Sequence, residues 1–499
     1  MIRGSAYSTI PVKKAAPFPY PQPLPAMFPH LFDKLESATV AFADFMWGMP
    51  LVVLLVGGGC FFALYSRFLP YRHFRHAVGI LTGRYDEAHH DGHIPHFQAL
   101  STALSGTLGL GNVAGVAVAI SMGGPGAVFW MWVTAMVGVA TKFYTASLAV
   151  MYRGRDNHGT LQGGPMYVIR EGLGPRWMPL AALFAVAGLF GALPVFQINQ
   201  LVQLTRDLVG IPAGLATARD HFWFDFGTGV LIASAVYLVI IGHIRRIGYV
   251  TARLVPGMVL FYLAVTAWLL ASRIDQVPGA LMLIFRDAFS GHAVAGGTLA
   301  AVVITGVRRG AFSNEAGIGT ESLAHGAART NEPIREGLVA MLGPVIDTLV
   351  VCSCTALAIL VTGAWHDRNV DGVTMTVHAF QSALPHGGVY LLMIMVVFLA
   401  FTTMVSYWYY GTKCMGFLFG AQRQHYYLWF YITLIVVGAV ASMDAVLGLI
   451  DGMFAVMAIP TMTSTLLLAP RVNRALRDYL QRHPFVRPAA ATRAPDPGR

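Results

Sequence analysis

Charge is what this chain has least of. Only 12% of its 499 residues are Asp, Glu, Lys or Arg, where a soluble globular domain carries about a quarter. With 56% hydrophobic residues and a mean hydropathy of +0.59, a water-soluble globule is excluded. The length suffices for about ten membrane-crossing helices. Cysteine is scarce as well. Cys60, Cys352, Cys354 and Cys414 lie in or near apolar segments, and Cys352 and Cys354 point to different faces of one helix. Free thiols are expected rather than a disulfide framework. Several motifs are missing. No GxxxxGK followed by Ser or Thr occurs, so no ATP-binding loop is present. Neither HExxH nor GxSxG occurs, so a membrane-embedded enzyme of those types is not expected, nor any enzyme. The N-terminus lacks the charged, apolar, small-residue order of a cleavable signal. The net charge of +10 is spread over loops and the C-terminus, so no nucleic-acid partner is expected.

Glycine, by contrast, is abundant where a membrane helix should not have it. Ser105 to Gly115 reads SGTLGLGNVAG, with Gly106, Gly109, Gly111 and Gly115 inside an apolar run from about Phe97 to Ser121. Glycine weakens a helix and lets the backbone leave it. Inside a bilayer, freed N–H and C=O groups are tolerated only where they are buried in protein or line a cavity. The stretch therefore reads as a helix broken near mid-membrane, with bare backbone groups and the Asn112 amide facing a bound solute. GLGNVA also fits the G-x-G-x-x-A dinucleotide pattern, but no βαβ unit surrounds it.

In chain order, residues 1–44 form a segment rich in Pro and aromatic residues (PFPYPQPLP, Pro17 to Pro25), expected to be poorly ordered or surface-lying. A first crossing follows at about 45–68. The loop Leu69 to Pro95 carries Arg72, Arg75 and Arg84, with His89, His90 and His93 among its histidines. A metal site there is conceivable; a solvated loop is the simpler reading. Crossings are then expected at about 97–121, 126–152, 177–208 (kinked at Pro194), 227–241 and 249–271, with a short amphipathic piece at 281–289. A second anomaly, GVRRGAFSNEAGIGTES (Gly306 to Ser322), interrupts a crossing that starts near Ala293. Further crossings follow at about 338–362, 388–410, 427–441 and 445–468, and then a basic tail, 470–499.

Basic residues such as Arg67, Arg153, Arg245, Arg329, Lys413 and Arg471 fall in alternate loops. The positive-inside rule then sets the N-terminus outside and the C-terminus in the cytoplasm, although Lys13, Lys14 and Lys34 lie on the outer side. The protein is expected in the plasma (inner) membrane.

Setting aside the first crossing leaves about ten, in two groups of about five. A glycine-broken helix opens each group, and the odd number inverts the second group. The expected organisation is all-α, with repeats at 97–271 and 293–468. Paired interrupted helices of this kind point to the binding site of a secondary transporter. Half-helix N-termini suit a carboxylate, and unwound carbonyls suit sodium, a hard cation. A channel would need a continuous polar stripe, which is absent. Arg308, Arg309, Glu315 and Asp347 are ionisable groups at apparent membrane depth. Such groups are paired or functional. Arg–carboxylate pairs that hold or gate the second break are expected, with a proton relay as the alternative.

The stretches Ala103 to Val133, Gly306 to Ala328 and Gly337 to Leu357 resemble the alanine or glycine:cation symporter family, the sodium:alanine symporters. Weaker similarity runs from about 45 to 468. The resemblance implies a LeuT-type five-plus-five inverted repeat preceded by one extra helix, about eleven crossings in all. It also implies sodium-coupled uptake of alanine and glycine. Thr107, Leu108, Gly109, Leu110, Gly111 and Asn112 are similar to the GLGN turn of LeuT-type amino-acid symporters, which implies carboxylate binding by the N–H groups of Leu110 and Gly111. Gln203 looks like a substrate-contacting glutamine of the family, and Phe312, Ser313 and Asn314 match its FSN. For sodium, the resemblance implies the carbonyls of Ser105, Leu108 and Leu399 with the hydroxyls of Thr402 and Thr403. In FAFTTMVSYWYYG the family usually has tryptophan where this chain has Tyr407, then a small residue where it has Trp408. That departure implies a roomier pocket, unless Trp408 fills the space. No cofactor other than the coupling ion is expected.

Overall fold

A computed structural model describes residues 29–85, 89–290, 299–367, 372–385, 387–440 and 444–483. Residues 1–28 and the end of the basic tail, 484–499, lie outside the described residues. Apart from one short hairpin (Gly154–Arg155 against Leu161–Gln162), the described elements are helices. Seven are long and apolar enough to cross a membrane: Ala127–Met151, Pro175–Gly210, Phe222–Ile240, His243–Ala271, Pro333–Thr362, Gly388–Phe419 and Gly448–Arg482. Two bent pairs, Glu36–Met46 with Met49–Tyr65 and His96–Thr107 with Leu110–Gly123, raise the number to nine. The other two expected crossings fall short for local reasons. Gln424–Val440 has 17 residues, and the second glycine-rich crossing is divided into Leu299–Asn314 and Thr320–His325.

Sequence character sorts these helices into inner and outer positions. Ala127–Met151 is small-residue-rich and 83% buried over its apolar window, whereas Phe222–Ile240 is apolar all round and only 28% buried. The first can touch neighbours on every side; the second turns most of its surface to lipid. Two boundaries differ from the sequence reading. A helix, Pro29–Met46, already begins within the segment expected to be irregular. It packs along the last helix, where Thr39 and Phe42 meet Gly448 and Gly452 and Trp47 Nε1 donates to Asp451. That last helix, Asp444–Arg482, also runs through Pro470 into the expected tail. Val472, Leu476 and Tyr479 recur at helical spacing and are buried, so packing outweighs the proline. The four cysteines are free. In the histidine-rich loop, His73 Nδ1 bonds Leu69 O, His76 Nε2 bonds the Tyr479 hydroxyl and His93 Nε2 bonds Leu161 O.

At one end of the molecule the two broken helices are strapped together. His96 opens the first, and His325 closes the second. The Glu336 carboxylate lies between them, taking His325 Nδ1 at 2.5 Å on Oε1 and His96 Nδ1 on Oε2. All three side chains are buried. Ile94 and Ala328 form a parallel β-bridge beside them. Arg153 donates to the carbonyls of Gly326 and Thr330 at 2.8 Å and also to Ala328. Burial pulls the Arg153 guanidinium down to about 10, so it keeps its charge at neutral pH. Removing one member of a buried ionic cluster strands the others, at about 3–5 kcal/mol. Glu336→Ala should therefore lower the melting temperature in detergent far more than exposed Glu171→Ala does. Equal melting curves would show that the strap contributes nothing.

Candidate functional site

The first break is one residue of extended chain and one short turn. Helix His96–Thr107 ends at Leu108; Gly109 is extended, Leu110–Asn112 form a 3-10 turn, and the helix resumes at Ala114. The two halves meet at 60°. Gly109 is needed because a Cβ there would lie 2.8 Å from Thr403 Oγ1. Its N–H is used within the turn, toward Thr107 O and toward Asn112 Oδ1 at 3.0 Å. The N–H groups of Leu110 and Gly111 have no acceptor among the described residues. They open a new helical turn and so present the positive end of its dipole. Two adjacent free donors of this kind fit a carboxylate. Phe312 lies opposite, its ring 3.6 Å from where a Cβ on Gly111 would be, and packs at a tilt against Phe454, with ring centroids 5.3 Å apart.

The second break spans Glu315 to Gly319. Glu315, Gly317 and Gly319 have positive φ, of 56°, 87° and 96°. A glutamate there is strained and must be held. Thr320 Oγ1 and the Tyr407 hydroxyl hold it, donating to Oε2 and, at 3.1 Å, to Oε1. Asn314 turns its side chain onto the break itself, Oδ1 accepting from Ala316 N at 3.0 Å and Nδ2 donating to Thr348 Oγ1 at 3.2 Å.

One buried node ties the breaks together. Asn112 Nδ2 donates to Asp347 Oδ1 at 2.6 Å and to Ser313 Oγ at 3.1 Å, with Cys352 Sγ at 3.3 Å. Ser313 and Thr348 hydroxyls donate to Asp347 Oδ2 at 2.8 and 2.6 Å. Asn112, Ser313 and Asp347 are all fully or almost fully buried. Asn112 is thus a fastener between the breaks as much as a lining group.

Beside the first break, Thr403 Oγ1 lies 3.0 Å from the carbonyl of Ser105 and 2.9 Å from that of Leu399. Thr402 Oγ1 reaches the same Leu399 carbonyl at 3.2 Å and Phe398 O at 2.8 Å. Four of the five expected cation ligands therefore cluster, and oxygen donors of this kind suit a hard monovalent ion. Leu108 ends the helix beside them, its N–H on Leu104 O. Thr107 bonds within its own helix, to Leu104 O at 3.3 Å.

Two expectations are corrected, and one alternative is closed. Gln203 is exposed. On the same helix, Val195–Thr205, Gln197 is buried and its amide oxygen has no partner among the described residues. Six residues of helix turn the two about 120° apart, and a glutamine-rich stretch (Gln197, Gln200, Gln203) gives no sequence signal for which one faces inward. The arginines of the second broken helix do not pair with Glu315 or Asp347. Arg308 instead bridges Asp44 at 2.8 Å and Asp451 at 2.5 Å, and Arg309 makes no ion pair among the described residues. Arg308 and Glu315 are about 10 Å apart along the axis, while Asp44 and Asp451 come from adjacent helices. Lastly, Trp408 does not take the place of Tyr407; its ring lies 6.2 Å from that of His243. Sequence reasoning also passed over Lys142, Glu321 and Tyr410, which are buried near the second break.

Against known proteins, the profile described as the sodium:alanine symporter family matches residues 32–487. The chain is 37% identical to "Sodium/alanine symporter AgcS" of Methanococcus maripaludis, over 85% of this chain and 93% of that one. It is 30% identical to "Amino-acid carrier protein AlsT" of Bacillus subtilis, over 88% and 90%. In fold it is similar to the crystal structure of MhsT in complex with L-phenylalanine, with TM-score 0.52, 12% identity, and coverage of 73% of this chain and 89% of that one.

Asn112→Leu removes the amide that joins Gly109, Ser313 and Asp347. Leaving such buried groups short of a partner costs about 1–3 kcal/mol. A lower unfolding midpoint in detergent is expected, together with faster thiol labelling of the buried Cys352. A variant as stable and as unreactive as the parent would remove Asn112 from the node.

Proposed function

Since the chain belongs to the sodium:alanine symporter family, we propose that it is a secondary transporter that brings alanine and glycine into the cell together with sodium. The observation that carries this reading is the pair of free N–H groups of Leu110 and Gly111, set beside the oxygen cluster of Ser105, Leu399, Thr402 and Thr403. The substrate carboxylate takes the two N–H groups. Sodium takes the carbonyls of Ser105 and Leu399, the Thr402 and Thr403 hydroxyls and the Leu108 carbonyl. Phe312 lies over the substrate methyl. The two sites share helix His96–Thr107 and its break, so each ligand favours the geometry the other needs, and their binding is reciprocal. We place the N-terminus outside and the C-terminus inside, as the loop charges favour. The strap around Glu336 then closes the cytoplasmic side.

Uptake of labelled alanine into proteoliposomes should follow an imposed sodium gradient at fixed pH. Equal uptake in choline under a pH gradient alone would end the sodium assignment. Thr403→Val removes one hydroxyl ligand while keeping the shape. It should raise the sodium concentration for half-maximal uptake, by about tenfold for each 1.4 kcal/mol of lost ion binding. An unchanged value would take Thr403 out of the ion site.

Pocket size is set in this reading by Tyr407. Its hydroxyl donates to Glu315, and its ring is smaller than the tryptophan that the family resemblance implies at this position. One methylene in an apolar pocket shifts selectivity by about 1–3 kcal/mol. The parent should therefore accept 2-aminobutyrate alongside alanine, and Tyr407→Trp should exclude it while keeping glycine and alanine. The same ranking of all three in both proteins would mean that Tyr407 is not the wall.

A further inference from the structure

The corner where the first crossing ends carries four arginines that no described carboxylate answers. The helix through Tyr65 stops in a turn at Arg67 and Phe68, both at positive φ, of 54° and 56°. Neither is glycine, so the turn is strained and must be held. Arg67 N–H on Leu64 O and Phe68 N–H on Ala63 O hold it, both at 2.8 Å. Two short helices follow, Leu69–Arg72 and Phe74–Leu81. In the second, Ala77 and Ile80 are buried, while Phe74, Arg75 and Val78 are exposed. Apolar and basic residues together on an outward face are the pattern of a helix lying in a membrane interface. His76 fastens this helix to the last one through the Tyr479 hydroxyl at 2.7 Å. Asn473 of the last helix donates to Tyr65 O at 3.0 Å, so Arg67 and Arg474 flank one join.

Arg67, Arg72, Arg75 and Arg474 are all exposed, and none of their side chains has a hydrogen bond or ion pair among the described residues. Glu332 is already taken by Arg482, which donates to both of its oxygens at 2.5 and 3.0 Å, and Asp478 acts on the same Arg482. Before the turn, Phe61, Leu64 and Tyr65 are exposed at steps of three and four and so share one face of the crossing. Phe61 and Tyr65 stack with ring centroids 5.1 Å apart. Unanswered positive charge at the end of an exposed apolar face fits a molecule with an anionic head and a hydrocarbon body. A zwitterionic lipid brings its own cation to the arginines; an anionic one does not, and charge selects it. Guanidinium groups match phosphate oxygens two at a time. We propose that this corner binds an anionic phospholipid, its phosphodiester among Arg67, Arg72, Arg75 and Arg474 and its acyl chains along Phe61, Leu64 and Tyr65. The bound lipid joins the first crossing to the last helix at the Asn473 contact and therefore stabilises the folded chain.

The site involves neither the transported solute nor the coupling ion, so it stands or falls apart from the symport reading. The full-length protein is delipidated in mild detergent and titrated with dioleoyl phosphatidylglycerol, with dioleoyl phosphatidylcholine, or with glycerol 3-phosphate, the anionic head without chains. Thermal unfolding and native mass spectrometry are read together. Phosphatidylglycerol should raise the melting temperature and appear as a bound adduct, and the other two should do neither. In Arg67→Gln/Arg474→Gln the concentration for half-maximal stabilisation should rise by about fivefold for each arginine removed. The control Arg219→Gln/Arg423→Gln removes the same charge from exposed arginines elsewhere and should match the parent. Equal stabilisation by phosphatidylcholine overturns the proposal, as does an unchanged titration in Arg67→Gln/Arg474→Gln or an equal loss in the control. Equal stabilisation by glycerol 3-phosphate makes the site one for free phosphate esters and overturns the lipid. A dimer without lipid adducts that disappears in Arg67→Gln/Arg474→Gln puts a second copy on this face, with the same consequence. Should that variant not fold, Arg72→Gln/Arg75→Gln takes its place, with the same expected rise and the same refutation.

Discussion

A helix cut in the middle of a bilayer exposes N–H and C=O groups that no solvent can satisfy. Everything around the two breaks follows from that demand. Hydroxyls from unbroken helices stand in for the missing helical bonds. Thr403 donates to Ser105 O, Thr355 to Asn112 O at 2.7 Å, Thr376 to Val113 O at 3.2 Å and Thr461 to Ile318 O at 2.8 Å. Asn112 does the same from within the break by accepting the Gly109 N–H. Among the N–H groups at the first break that have no acceptor among the described residues, those of Leu110 and Gly111 are adjacent and so offer an anion two donors at once.

The same demand explains where glycine cannot be replaced. At Gly106 a Cβ would meet the Tyr410 hydroxyl at 2.9 Å, and at Gly138 it would meet Ala316 Cβ at 2.9 Å. At Gly337 it would run into Ser147 Oγ and the Phe143 carbonyl. These positions do not all need an unusual backbone angle. They need neighbouring helices to come close enough for a short hydroxyl to reach across, and small residues permit that approach.

Much of this was legible in the sequence because broken helices leave a local signature. Glycine clusters in apolar runs placed both breaks, and Thr403, which the resemblance pointed to, lies within reach of Ser105. What the sequence hid is whatever depends on the angle around a helix or on a partner far along the chain. Gln197 and Gln203 are alike in type and neighbourhood, and only the packing of Val195–Thr205 separates them. Arg308 has carboxylates seven and more residues away on its own side of the chain, yet its partners are Asp44 and Asp451, 264 and 143 residues distant. The helical run beyond Pro470 depends on Val472, Leu476 and Tyr479 finding a surface, which no local rule contains.

One unbroken helix joins the parts. On Gly388–Phe419, Leu399, Thr403, Ser406, Tyr407 and Tyr410 recur at steps of three and four and so share a face. Along that face, Thr403 and Ser406 meet the first broken helix at Ser105, Tyr410 meets it at Gly106, and Tyr407 reaches Glu315 in the second break. In the proposed reading the ion ligands, the pocket wall and the hydroxyl that holds Glu315 are therefore one surface. A tryptophan in place of Tyr407 has no hydroxyl to give Glu315, so enlarging the pocket and stabilising the Glu315 carboxylate are a single substitution. Side-chain size in the substrate and charge in the second break are bound together by one hydroxyl group, and a change in either is felt by the other.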